Sequence, residues 1–221
     1  MSRIGNNLAF GLSGTLLFLA LVIWGWGDWV TFFLNPARTG AIILALTGAI
    51  AYGFSGSSGL GLGRLEDPSS RRIFIPLIII AVAFAWLPPH LDRLNHWTID
   101  GNTIRCVGLI ITAIGGFMRV ATVFELGHHF SIFVVVQSDH SLKTDGFYAL
   151  VRHPSYLGML TAMGGWALVF RSIIGLLLVL AICVPIIARI HAEEDFLVRE
   201  FGEQYRAYQQ RTRWRLLPFM Y

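Results

Sequence analysis

Six apolar runs constrain this 221-residue chain more than any motif in it: Leu8 to about Trp29, Thr39–Phe54, Ile73–Leu87, Ile104–Phe124, Tyr156–Phe170 and Ile173–Ala188. A bilayer span needs about 20 apolar residues, fewer when short or re-entrant. Inside hydrocarbon each backbone polar group has to find its partner within the segment, so such runs become helices. Only 14% of the residues are charged, against about 25% in soluble domains. That excludes a water-soluble globule and a disordered chain. The expected fold class is all-α: a polytopic membrane helical bundle of about six apolar helices, the last two a helical hairpin turning at Arg171-Ser172, with a C-terminal amphipathic cytoplasmic helix. Pro88-Pro89 is expected to close the third span. The first span is too long in its apolar core for a cleavable signal peptide, and no A-x-A site follows it.

Net charge is +4, carried by sixteen arginines and one lysine, Lys143. The arginines sit mostly at span ends and form no basic stripe with interleaved aromatics, which excludes nucleic acid as partner. With the N-terminus inside, the cytoplasmic segments hold Arg3, Arg64, Arg71, Arg72, Lys143, Arg152 and the six arginines from Arg189 onward; Arg38, Arg93, Arg105 and Arg171 fall opposite. Twelve against four predicts cytoplasmic N- and C-termini, and places residues 125–155 and 189–221 on one face. The two cysteines, Cys106 and Cys183, lie in apolar runs and are expected to act as small core hydrophobes.

Four groups of residues could carry chemistry. Arg119 lies within the fourth span, and an intramembrane charge is a functional site by default; the alternatives are pairing with an anionic ligand, snorkelling, or pairing with Glu125. Arg152-His153-Pro154-Ser155-Tyr156, after Asp145-Gly146 and Tyr148, places an arginine, a histidine and two tyrosines beside a helix N-terminus begun by Pro154. That suits a small carboxylate or phosphate, or mere interfacial anchoring. In the tail, Glu193, Leu197, Phe201 and Tyr205 recur every four residues with Tyr208 three further on, sharing one helical face that Gly202 bends or caps. Glu193 and Glu194 are then adjacent carboxylates, one of them on the apolar face; it needs hydroxyl, amine or arginine partners, which ribose would supply. His128, His129 and His140 lack a third ligand at helical spacing and H-E-x-x-H is absent, so no metal site is expected. The glycine-rich stretch Gly56–Gly63 fits no phosphate-binding spacing and reads as a loop.

Read in order, Arg119-Val-Ala, Leu126-Gly127-His128-His129-Phe130-Ser131, then Leu142-x-x-x-Gly146-x-Tyr148-x-x-Val151-Arg152-His153-Pro154-x-Tyr156-x-Gly158, then Glu193-Glu194-x-x-Leu197-x-x-x-Phe201-Gly202-x-x-Tyr205-x-x-Tyr208 and Pro218 form one set. The set resembles the isoprenylcysteine carboxyl methyltransferase family of integral membrane enzymes, in its bacterial-type homologues, over roughly residues 104–221. The resemblance implies S-adenosylmethionine as methyl donor, held by the hairpin and the C-terminal segment. Residues 1–103 would be N-terminal transmembrane helices and 104–221 the methyltransferase core, in a multi-pass protein of the bacterial inner membrane. Tyr148, Arg152, His153 and Tyr156 would hold the donor's homocysteine part, and Glu193 and Glu194 its ribose and adenine. His129 would reach towards the donor, and Arg119 would pair with the anionic group of the acceptor. The acceptor, a lipid or small apolar carboxylate or thiol, is not inherited with the fold. Two other readings stand beside this one: an NADPH-dependent membrane reductase of the sterol type, which usually has Asn where this chain has Ser155 and an acidic residue where it has Met159, and a non-catalytic membrane scaffold.

Overall fold

The computed structural model describes residues 3–55, 69–127, 142–218 and 221, with side chains described outside residues 3–4 and 69–74. Its helices are α1 (Arg3–Trp26), α2 (Trp29–Phe33), α3 (Pro36–Phe54), α4 (Ser69–Arg93), α5 (Thr103–Leu126), α6 (Pro154–Val169), α7 (Ile173–Phe201) and α8 (Glu203–Arg211), with a 3-10 turn at Gly146–Ala149. Among the described residues, α1, α3, α4, α5 and α7 are long and apolar enough to cross a bilayer; α6, with 16 residues, is shorter. The chain is a helical membrane protein.

Several boundaries depart from expectation. The first run breaks at Gly27 and Asp28 caps a separate short helix, its carboxylate accepting from the Val30 and Thr31 amides. Pro88 and Pro89 do not close α4, which runs on to Arg93. Proline's fixed φ is itself helical, and both rings are fully buried, so packing holds the helix through two missing donors. The sixth run does not stop at Ala188, because α7 continues unbroken to Phe201. Cys106 is exposed on α5 rather than buried in the core; in a bilayer that outer face is also apolar. The glycine-rich stretch and the three histidines His128, His129 and His140 lie outside the described residues.

The closest helix pair is α5 against α6. A Cβ on Gly115 would come within 2.3 Å of the Ala162 backbone nitrogen, and one on Gly158 within 2.7 Å of the Arg119 nitrogen. Small residues at this contact let the backbones touch, the usual device where lipid supplies no hydrophobic drive. The contact fixes Arg119 against the first turn of α6. At the other end of the bundle, Asp92 of α4 is buried and accepts from Arg105 Nη1 at 2.6 Å, Arg105 Nη2 at 2.8 Å and Arg171 Nε at 2.9 Å, with Arg38 Nη1 at 3.8 Å. Arg93 donates to the Trp26 carbonyl nearby. The four arginines assigned to one face by charge alternation therefore do gather at one end, opposite to Arg152, Arg189 and Arg215. One buried cluster there draws on α1, α2, α3, α4 and α6, including Val22, Phe32, Ala41, Phe84, Trp166 and Phe170.

Candidate functional site

Pro154 occupies the first turn of α6, with His153 as the residue before it. The chain on either side is pinned by the returning tail: the Arg152 amide donates to the Trp214 carbonyl at 2.8 Å and the His153 amide to the Arg215 carbonyl at 2.9 Å. Gly202, with φ +52°, ends α7 and starts α8, a backbone conformation that glycine adopts freely. The bend keeps one face inward across the break, so Glu193, Leu197, Phe201, Tyr205 and Tyr208 all line a single cavity.

That cavity measures about 940 Å³ and has two chemically different ends. Its polar end carries Arg119, Tyr148, Arg152, His153, Tyr156, Arg189 and Glu193. Its apolar arm runs between α1, α3, α4, α5, α6 and α7 to Phe18, Ala45, Phe84 and Trp166. Helices from both halves of the chain thus build one chamber. Six of the eight residues proposed from sequence as donor-binding or catalytic meet at the polar end: Arg119, Tyr148, Arg152, His153, Tyr156 and Glu193. His129 lies outside the described residues.

Glu194 is the exception. It is 3% exposed and does not line the cavity. Its Oε1 accepts from Arg152 Nε at 2.7 Å and faces His153 Nε2 at 3.3 Å, while Oε2 accepts from Arg215 Nε at 3.0 Å. Arg152 Nη1 donates to the Thr212 and Arg213 carbonyls, at 2.8 and 2.9 Å. Glu194 therefore fixes Arg152 from behind and ties α7 to α6 and the tail. Glu193 faces the other way, accepting from the Tyr156 hydroxyl at 2.9 Å, and that hydroxyl accepts in turn from Arg189 Nε at 2.6 Å. Arg119 Nη1 donates to the Ser155 hydroxyl, which ties it to the start of α6. Burial, with Glu193 nearby, pushes the Tyr148 phenol well above its ordinary pKa, and Tyr148 stays a neutral hydrogen-bond donor. The Tyr208 hydroxyl donates to the Tyr148 carbonyl at 2.7 Å.

Arg189 and Arg215 were not singled out from sequence, and Ser155 was named only within its run and not as a site residue. Arg189 had a usable signal, since it lies four residues before Glu193 and so on the same helical face. Ser155 and Arg215 had none, because each contact crosses between elements. Chemically, the arrangement offers fixed cations, phenols and one cavity-facing carboxylate at the mouth of an apolar chamber.

A family model described as the isoprenylcysteine carboxyl methyltransferase family matches residues 107–199. A probable protein-S-isoprenylcysteine O-methyltransferase of Oryza sativa subsp. indica is 30% identical over 159 residues, covering 68% of this chain and 81% of that protein. A methanethiol S-methyltransferase of Pseudomonas deceptionensis is 32% identical over 143 residues, covering 60% and 53%. The solved structure of a eukaryotic intramembrane Ras methyltransferase superposes with a TM-score of 0.51 at 20% identity, covering 100% of this chain and 99% of that one, a likeness of fold. The chain spans about half the length of several other curated relatives, 43% to 50%. With the rice relative 30% identical and matched over 81% of its length, this chain belongs to the isoprenylcysteine carboxyl methyltransferase family.

Proposed function

We propose that the protein transfers a methyl group from S-adenosylmethionine to a nucleophile on an apolar acceptor, at the cytoplasmic face of a bacterial inner membrane. The observation that carries this reading is the two-ended cavity: a polar end built from the tail and the α6 start, continuous with an apolar arm between the spans. Such a chamber suits a water-soluble donor and a membrane-partitioned acceptor meeting at an interface.

The polar residues fit the donor's chemistry. Arg152 is held through Nε and Nη1, which leaves Nη2 as its nitrogen for the donor carboxylate, beside His153 and the α6 N-terminus. Tyr148 and Tyr156 supply phenols around the homocysteine part. Glu193 takes the ribose hydroxyls, and Glu194, reassigned from direct contact, acts by orienting Arg152. When bound, the donor supplies a sulfonium-linked methyl, and transfer forms the acceptor O–C or S–C bond as the methyl–sulfur bond breaks. An in-line displacement of this kind depends chiefly on alignment. Arg119 holds the acceptor's anionic group, a carboxylate or thiolate, which needs no base. The relatives named for isoprenylcysteine and for methanethiol carry two acceptor classes; the apolar lining of the arm, from Phe18 to Trp166, favours a lipid-like acceptor.

Calorimetric titration of detergent-purified protein with S-adenosylhomocysteine and, in parallel, with NADPH tests the donor. Saturable binding of the former alone is expected; binding of NADPH instead would make the protein a reductase, and binding of neither would favour a scaffold. Sidedness is tested separately. A reporter fused after Tyr221 should be active in its cytoplasmic form only, and activity confined to the outer side would reverse the orientation.

A further inference from the structure

The far end of the apolar arm is not uniformly apolar. Trp166 of α6 lines it, is 5% exposed, and its indole Nε1 has no hydrogen-bond partner among the described residues. Its ring packs against Phe18 and Phe170, with centroids 5.3 and 5.6 Å away, so these neighbours supply no acceptor. Thr112, on the facing helix, also lines the cavity; its hydroxyl gives its proton to the Gly108 carbonyl at 2.8 Å, keeping oxygen lone pairs but no spare donor. A buried indole N–H is nearly always paired. Phenylalanine or leucine would fill this place in a chamber meant for bare hydrocarbon without leaving a donor unmet.

Trp166 lies eleven residues along α6 from Ser155, the residue that holds Arg119. At 1.5 Å per residue the donor stands roughly 16 Å from the methyl-transfer end. We propose that the acceptor is an amphiphile whose chain carries a hydrogen-bond-accepting oxygen, a carbonyl or hydroxyl, about 16 Å from the methylated group, and that Trp166 Nε1 donates to that oxygen. Trp166 is then a specificity residue that selects an oxygen-bearing chain over a wholly hydrocarbon one. This rests on the reading of the apolar arm as the acceptor's chain site. Selection follows because a chain without the oxygen leaves the N–H unmet after displacing whatever else could solvate it, the situation in which binding sites discriminate most strongly.

The test uses the full-length protein in lipid nanodiscs with S-adenosylmethionine, following S-adenosylhomocysteine release. Two thiol-ended chains of equal length are compared, one with a keto oxygen roughly 16 Å from the sulfur and one with a methylene there; a matching carboxylate-ended pair is run beside them. The keto chain is expected to show a kcat/KM about ten- to a hundredfold higher. Trp166→Phe should erase that preference by lowering the keto value, with S-adenosylhomocysteine affinity unchanged. Equal wild-type kcat/KM for the two chains overturns the proposal while leaving the lipid-acceptor reading intact, and so does a preference that survives Trp166→Phe. No methylation of any chain, with S-adenosylhomocysteine still bound, overturns the lipid-acceptor reading and the proposal with it. Equal wild-type values overturn the proposal even if Trp166→Phe fails to fold, and Trp166→Leu then takes its place for the comparison of variants.

Discussion

Glu194→Ala is expected to lower the stability of the protein by roughly 3–5 kcal/mol and to abolish donor binding, although Glu194 is not among the residues lining the cavity. Its carboxylate is buried between Arg152, His153 and Arg215. Removing it leaves the Arg152 guanidinium inside the protein with carbonyl partners but no counter-charge. That situation costs more than the pair itself contributes. The tail would lose its tie to α7, and Arg152 its orientation. Glu193→Ala should behave differently despite adjoining it. Glu193 accepts from Tyr156 at the polar end of the cavity, so its loss should leave the melting temperature near the parent's. Donor affinity should fall about ten- to a hundredfold, as expected for one hydrogen bond to a charged group. Thermal melting in detergent and calorimetric titration with S-adenosylhomocysteine separate the two. A Glu194→Ala variant that melted and bound like the parent would remove Glu194 from its proposed positioning role.

Arg119→Ala is the second variant with a large expected effect. Turnover should fall about 10²- to 10³-fold, the usual consequence of deleting one preorganised group that stabilises charge at the reacting centre, while S-adenosylhomocysteine affinity stays within a few-fold. The separation follows from position. Arg119 comes from α5 and is held at Ser155, whereas the proposed donor contacts come from the α6 start, α7 and the tail. Arg119→Lys should restore only part of the rate, because an ammonium lacks the planar fork of a guanidinium. If calorimetry found donor affinity lost together with turnover, Arg119 would belong to the donor site instead.

Much of this arrangement was legible before any coordinates. The i, i+4 spacing of Glu193, Leu197, Phe201 and Tyr205 identified a shared face, and Gly202 a bend; both are present, and the face lines the cavity. Helical periodicity is a local property, readable from one segment. Pro88-Pro89 misled because the cost of two missing donors is set by how tightly the rings are packed, and packing is not local. Cys106 misled for a related reason: in a membrane protein the outer face of a helix is as apolar as its inner one, so composition does not say which way a residue points.

The two glutamates mark the same boundary at the site. Adjacent on one helix, they were interchangeable as candidates, and only the return of the tail onto the α6 start turned Glu194 into an ion-pair anchor and left Glu193 to the cavity. Hydropathy, charge alternation and helical spacing act within single segments, and they were enough to predict a bundle of apolar helices, the common end of Arg38, Arg93, Arg105 and Arg171, and the residue types near the α6 start. Packing between segments decided which charges face the chamber, that the N-terminal helices help to enclose it, and that its far end holds an indole N–H with no partner among the described residues. Those outcomes depend on contacts between residues tens of positions apart, made where Gly115 and Gly158 let two backbones touch.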